Sequence, residues 1–136
     1  MSVLQANNPW QQRFMFAYDH VLVSATTTIK LFTTQRLRRI DRVEYINVTG
    51  LAGHATQYWE IALKKGSTVM AQWSTDSDVV GQGTIAADTF VSPVLSSTDA
   101  NLVTAVDDVI ALALTKFSTA ANLPAGRIVV HGRYVS

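Results

Sequence analysis

Apolar and polar residues alternate along much of the chain, and the clearest case begins at Thr56. Thr56–Lys65 places Trp59, Ile61 and Leu63 on one side of an extended segment, with polar residues mostly opposite. Thr68–Ser74 follows after a short turn that contains glycine. A period of two residues is typical of a half-buried strand. The two runs therefore predict a β-hairpin whose tryptophan-bearing side faces the core.

The last two apolar runs differ from the hairpin because both of their faces are apolar or small. Asp107–Lys116 has Ile110, Leu112 and Leu114 on one side and mainly alanine on the other, and Gly126–Val135 is similar. Such runs are typical of strands covered on both faces. The segment between them is rich in turn residues. We predict that the two runs are neighbouring antiparallel strands at the centre of the fold.

Five further runs are rich in β-branched residues and are bounded by turn signals. These runs are His20–Ser24, Thr26–Phe32, Arg36–Val48, Thr84–Val91 and Ser92–Ser97. Pro93 favours an edge position for the last of them, because proline lacks the N–H that an interior strand needs. The alternation in the third run changes phase near Arg39–Ile40, which predicts a β-bulge there.

The segment before the run that begins at Asp107 is ambiguous. Its apolar residues also fit a helical stripe, so residues 98–107 are open to assignment as helix or strand. We predict a short helical or irregular turn at Asp99–Val106, followed by a strand from Asp108, because the surrounding sequence is rich in strand signals.

Together these runs predict an all-β chain of about eight short antiparallel strands, with turn signals at intervals of about 8–12 residues. This pattern indicates a jelly-roll-like β-sandwich with an N-terminal arm. We assign residues 20–136 to the sandwich domain and residues 1–19 to an N-terminal arm or edge strand.

Large aromatic side chains are concentrated in the N-terminal segment. They are Trp10, Phe14, Phe16 and Tyr18. The last three alternate with smaller residues, as in a strand that covers its own domain. Aromatic residues also anchor protein interfaces, so an arm that docks on a neighbouring chain is equally consistent with the sequence. Both interpretations stay open.

A basic cluster within the Arg36–Val48 run is the second candidate interaction site. In a regular strand, Arg36, Arg38 and Arg42 share a face. They either form an exposed strand face paired with Asp41 and Glu44, which we favour for each single arginine, or a positive strip that meets an acidic partner.

Composition narrows the classes of partner. Apolar residues make up 48% of the chain and charged residues only 15%, so the surface is neutral enough to meet other protein. The net charge of +1 gives no field that attracts nucleic acid or an anionic membrane. The absence of cysteine excludes disulfides and thiolate metal sites. The start of the chain resembles no secretory signal, and no apolar run has the roughly 20 residues of a membrane span.

The sequence offers little catalytic or metal-binding chemistry. His20, His54 and His131 have no metal-ligand spacing. Asp76 and Asp78 weakly resemble the start of a calcium loop, but the rest of the ligand series is missing. The chain has no Gly-x-Ser-x-Gly nucleophile motif and no glycine-rich phosphate loop. We therefore expect a protein that is not an enzyme and needs no cofactor.

Several stretches of the chain resemble a known family in texture and order. They are Val43–Ala52, Trp59–Thr75, Thr84–Val91 and Leu123–Val135. The chain resembles the small jelly-roll structural proteins of tailed bacteriophages, in particular head decoration or cement proteins. The resemblance implies a homotrimer on the outside of a virion, assembled in the host cytoplasm. There it binds the major capsid protein and stabilises the shell.

Two other classes of function are also considered. A carbohydrate- or receptor-binding module of a phage fibre or tail would use Trp59 and Trp73 as stacking platforms, although their alternation with core residues favours burial. A small hydrolase on a jelly-roll scaffold is disfavoured, because such sites need a cluster of histidines and carboxylates.

Overall fold

The computed structural model describes residues 12–135, which contain ten strands and a short 3-10 helix at Asp99–Leu102. The strands are β1 (Arg13–His20), β2 (Thr27–Thr33), β3 (Arg38–Asn47), β4 (Trp59–Lys65), β5 (Thr68–Ser74), β6 (Phe90–Val91), β7 (Val94–Leu95), β8 (Val103–Thr104), β9 (Val109–Lys116) and β10 (Gly126–Tyr134). No helix in this range is long and apolar enough to cross a bilayer.

The strands form two antiparallel five-stranded sheets. The first sheet has the order β1-β10-β3, with the short strands β6 and β8 both paired to β3. The second sheet has the order β2-β9-β4-β5-β7. From β1 to β4 every connection passes from one sheet to the other, and so do the connections on either side of β9. The predicted jelly-roll-like β-sandwich is therefore confirmed.

The inner faces of the two sheets supply one continuous hydrophobic core. Alternate residues of the four central strands point into it and are almost fully buried: Ile40, Val43, Tyr45, Trp59, Ile61, Leu63, Ile110, Leu112, Leu114, Ile128 and Val130. The inward faces predicted for β4 and β9 are thus confirmed. The intervening Ala62, Ala111 and Ala113 lie on the outer side of the second sheet.

The predicted hairpin is present as β4 and β5. Ile61 pairs with Trp73, and Gly66 makes the turn with a φ of 57°, a left-handed conformation that glycine adopts without steric cost. Met70 has no partner in this register, so a bulge follows the turn. A tight turn between two alternating runs is a local signal, which explains why the sequence predicted it correctly.

The predicted pairing of the last two apolar runs is wrong. β9 lies in the second sheet between β2 and β4, whereas β10 lies in the first sheet between β1 and β3. Each strand is central in its own sheet, as its two apolar faces indicated. The segment that connects them crosses the sandwich and is held by a two-way backbone bridge between Val23 and Leu123, with N···O distances of 2.9 Å.

Two predicted strands are largely absent. Only His20 of the His20–Ser24 run belongs to a strand, because the chain leaves β1 there to reach the second sheet. The Thr84–Val91 run is mostly loop, with a single bridge from Ile85 to Leu51 and the short β6 at its end. In both runs β-branched residues are abundant, but the path of the chain overrides their intrinsic preference.

The ambiguous segment contains a 3-10 turn at Asp99–Leu102, which confirms the start of the predicted turn. It then forms the two-residue strand β8, where the turn was expected to continue to Val106. The Ser92–Ser97 run contracts to β7, which lies at the edge of the second sheet as Pro93 indicated.

A β-bulge interrupts β3 close to the predicted position. His131 pairs with Arg42 and Gly132 pairs with Ile40, so Asp41 is the extra residue on β3. The bulge keeps both Ile40 and Val43 in the core although they are three residues apart. It also reverses which side of the sheet the preceding arginines face.

Candidate interaction surfaces

The aromatic residues of β1 cover the sandwich from its edge. Phe14, Phe16 and Tyr18 are half-buried against the core, and the rings of Phe16 and Phe32 have centroids 4.8 Å apart. Arg13, Met15, Ala17 and Asp19 point away from the core. Trp10 lies outside the described residues. The assignment of these aromatics to an interface with a neighbouring chain stays a prediction.

The three arginines predicted to share a face do not do so. Arg38 lies on the core side of β3, with its guanidinium carbon 4.7 Å from the centre of the Phe14 ring. Arg42 lies on the opposite side, where it contacts Glu44 at 3.6 Å and His131 at 3.3 Å. The bulge at Asp41 is the cause, because one extra residue shifts the alternation of the strand by one position. A break in the alternation indicates a bulge in β3, but the face that each arginine occupies depends on the exact residue at which the bulge lies.

The outer side of the first sheet carries a mixed network of charges. Asp41 lies 3.6 Å from Arg133, 3.8 Å from Arg13 and 4.0 Å from Arg39. Arg39 also pairs with Asp99, and this contact raises the pKa of Arg39 and lowers that of Asp99. Arg13, Arg39 and Arg133 therefore all have nearby carboxylates.

Arg36 and Arg38 are held by aromatic rings instead. The guanidinium carbon of Arg36 lies 4.3 Å from the centre of the Tyr134 ring, and that of Arg38 lies 5.0 Å from the same ring. Arg38 also lies 5.2 Å from the centre of Phe32. The backbone N–H of Tyr134 donates to the carbonyl of Gln12, which ties the end of β10 to the residue before β1. The basic cluster in the sequence makes the two arginines candidates for an interaction site. No sequence pattern predicts their contact with Tyr134, which lies at the other end of the chain.

A buried polar network joins the end of β1 to β3. The Tyr45 hydroxyl donates to His20 Nε2 at 2.6 Å, and His20 Nδ1 donates to the carbonyl of Val21 at 2.7 Å. Asn47 Nδ2 donates to the Tyr45 hydroxyl and to the carbonyl of Pro124. Burial raises the pKa of Tyr45 to about 12 and lowers the pKa of His20. His20 is therefore held neutral, as the acceptor of a hydrogen bond in the core.

This network predicts a loss of stability in mild acid. Unfolded His20 takes up a proton below about pH 6.5, whereas the folded chain resists protonation, so unfolding is favoured as the pH falls. We expect the urea midpoint of the wild-type chain to fall more steeply than that of His20→Gln between about pH 7.5 and about pH 5.5. Parallel pH dependences of the two proteins would contradict the assignment.

The remaining candidates for metal or calcium binding have local structural roles. His54 Nδ1 accepts hydrogen bonds from the backbone N–H groups of Thr56 and Gln57, each at 3.1 Å. The Asp76 side chain accepts a hydrogen bond from the backbone N–H of Asp78, which is an ordinary turn contact. Among residues 12–135, no group of three or more potential ligands lies close enough to hold a metal ion.

The two tryptophans of the hairpin are core residues. Trp59 is fully buried and donates from Nε1 to the carbonyl of Ala121 at 2.7 Å. Trp73 is also buried and donates from Nε1 to the carbonyl of Gly83 at 3.1 Å. The interpretation of these side chains as platforms for sugar binding is therefore wrong, because neither ring face is open to a ligand.

Exposed apolar side chains are found at both ends of the sandwich. Val48 and Phe90 line a surface cleft of about 430 Å³ that also includes Asp19 and Arg127. Leu37, Val106 and Val109 are exposed at the opposite end. Exposed apolar residues that lie near one another mark candidate contacts with other protein.

None of the protein-family models matches the chain, and none of the curated proteins does either. Among solved structures, a chain of the capsid asymmetric unit of cyanophage Pam1 is 12% identical with a TM-score of 0.47, covering 91% of this chain and 84% of that chain. A chain of infectious bursal disease virus, Gx strain, is 10% identical with a TM-score of 0.30, and the match spans 92% of this chain but 37% of the viral one. These values assign no family.

Proposed function

We propose that the chain is a structural protein of a virion, and more specifically a decoration or cement protein on the outside of a phage head. The observation that carries this proposal is the jelly-roll-like order β1-β10-β3 packed against β2-β9-β4-β5. Jelly rolls occur in viral capsid proteins, lectins and cupins, so the fold limits the function, by analogy, to a few classes of protein. The sequence resemblance to phage decoration proteins supports the first of these classes.

The surface supports a protein that works among many copies. Charged residues make up only 15% of the chain, and apolar residues at both ends of the sandwich are exposed. The outer edges of β1 and β2 pair with no strand among the described residues. Such edges invite association, and three sandwiches around a threefold axis would protect them. We infer a homotrimer that binds the major capsid protein and stabilises the shell after assembly in the host cytoplasm.

Oligomeric state and shell binding test this proposal together. Light scattering is expected to give a mass of about 45 kDa, three times that of the 14.9 kDa chain. The trimer should bind expanded shells of the phage that encodes it, but not precursor shells, in a sedimentation assay. A stable monomer that remains in the supernatant with both kinds of shell would overturn the proposal.

The role of the N-terminal segment is tested by a truncation that removes no strand of the sandwich. Because β1 begins at Arg13 and pairs with β10 along its whole length, removing residues 1–19 would remove a strand. Deletion of residues 1–11 leaves that strand intact. We expect this deletion to weaken attachment to shells with little change in thermal stability. Unchanged attachment would remove residues 1–11 from the interface.

A further inference from the structure

Two arginines at one end of the sandwich are positioned without acidic partners. Arg36 and Arg38 form no ion pair with any carboxylate in residues 12–135, whereas Arg13, Arg39, Arg42, Arg127 and Arg133 all do. Tyr134 lies within 5.0 Å of both guanidinium carbons. Arg38 Nε is buried and makes no hydrogen bond, and the Arg38 guanidinium lies against the rings of Phe14 and Phe32.

An aromatic ring accepts no conventional hydrogen bond from a guanidinium, so these contacts leave the N–H donors of Arg36 unpaired. In Arg38 the donors left for a partner are the terminal N–H groups, because Nε is buried. Two parallel N–H groups match the two oxygens of a carboxylate, and the stacked side chain loses little further freedom on binding. Arg36 and Arg38 are therefore preorganised donors that have no acceptor among the described residues.

Exposed apolar residues lie at this same end. Leu37 lies between the two arginines in the sequence and is exposed. The backbone of Thr34 joins the β2–β3 loop to the loop before β9. The Thr34 N–H donates to the Asp108 carbonyl at 2.9 Å, and the Thr34 carbonyl accepts from the Asp107 N–H at 2.7 Å. This contact places the exposed Val106 near the β2–β3 loop. We call the surface formed by Arg36, Leu37, Arg38 and Val106 the arginine end.

We propose that the arginine end binds a partner protein through a carboxylate side chain that lies beside an apolar residue. The carboxylate accepts hydrogen bonds from the N–H groups of Arg36 and from the terminal N–H groups of Arg38, and the apolar residue covers Leu37 and Val106. This inference rests on the proposed function and names the contact made with the shell.

An acidic protein segment fits this surface better than nucleic acid does. Tyr134 already has arginine against it, so its ring is not a free platform for a base. The net charge of the chain is +1, whereas binding to a phosphate backbone requires many neutralising contacts. Two guanidinium groups flanked by valine and leucine are better suited to bind a single carboxylate side chain of a protein that has an apolar residue beside it.

Titration with a glutamate-rich hexapeptide that contains one leucine tests the site directly. In ¹⁵N NMR spectra, the side-chain Nε–Hε signal of Arg36 should shift, whereas that of Arg127, paired with Asp19 at 2.6 Å, should not. Arg36→Gln is expected to weaken peptide binding at least about tenfold. Arg42→Gln is the matched control, because it removes the same charge from the other side of the sheet, and binding should be nearly unchanged.

Other outcomes would overturn the inference. The inference fails if the Arg36→Gln variant binds the peptide as tightly as the wild-type protein does, or if the wild-type protein does not bind the peptide. Tighter binding of an oligothymidylate that depends on the same two arginines would identify nucleic acid as the ligand instead. Because Arg36 is exposed outside β3, its replacement should leave the fold intact, which circular dichroism of the variant checks.

The shell assay separates this inference from the proposed function. If wild-type protein binds shells and Arg36→Gln binds equally well, the arginine end is not the contact and the proposed function stands. If wild-type protein does not bind shells, the proposed function fails, and the peptide titration still decides whether the arginines form a carboxylate site.

Discussion

Replacing Trp59 with alanine is expected to destabilise the chain by about 3–5 kcal/mol, the largest effect of any single truncation considered. Trp59 is fully buried, and its indole N–H donates to the Ala121 carbonyl at 2.7 Å. The change would leave a large cavity between the sheets and remove the hydrogen bond that ties the segment between β9 and β10 to the core. Chemical denaturation monitored by circular dichroism measures the loss.

A truncation at the surface provides the control for this experiment. Val80 is 97% exposed, so Val80→Ala should change the free energy of unfolding by no more than about 0.5 kcal/mol. A cost below about 1 kcal/mol for Trp59→Ala would show that the indole is not part of a packed core. It would also reopen the interpretation of the hairpin as a ligand-binding surface.

Gly132→Ala is expected to cost about 3 kcal/mol, although it adds only one methyl group. Gly132 lies between Phe14 on β1 and Ile40 on β3, directly beside the bulge at Asp41. A Cβ at this position would lie 2.6 Å from the Phe14 ring and closer still to the Arg39 carbonyl oxygen. The Arg39 oxygen belongs to the backbone of the neighbouring strand, so relief requires the sheet itself to move.

A second glycine separates this clash from the general effect of replacing glycine. Gly66→Ala adds a Cβ that meets nothing within 4 Å, so its expected cost is the strain of a positive φ, about 1–2 kcal/mol. Thermal unfolding of both variants gives the comparison. If Gly132→Ala is no less stable than Gly66→Ala, β1, β10 and β3 do not approach as closely as described.

The parts of the fold that depend on neighbouring residues were predictable from the sequence. The β4–β5 hairpin, the inward faces of β9 and the bulge in β3 all follow from alternation and turn residues. The pairing of β9 and β10 was not predictable in this way. Two-sided apolar strands are central in any sheet, and periodicity does not specify which strands lie beside them.

The arginine end was also predictable only in part: its residues could be identified from the sequence, but their contacts could not. Arg36, Arg38 and Phe14 were all singled out from the sequence, but as two separate groups with different roles. The bulge turns Arg38 toward the aromatic residues, and Tyr134 reaches it from the far end of the chain. Contacts between residues so far apart in sequence arise from the sheet order, which no local pattern encodes. The hydrogen bond between His20 and Tyr45 could not be predicted from the sequence for the same reason.

Electron cryomicroscopy of the virion encoded with this chain tests the proposed function most directly. We predict density for three copies of the sandwich around local threefold positions on the outer surface of the head, with the arginine end facing an acidic side chain of the shell. A virion whose head lacks this density, or whose particles contain none of the chain, would contradict the proposal.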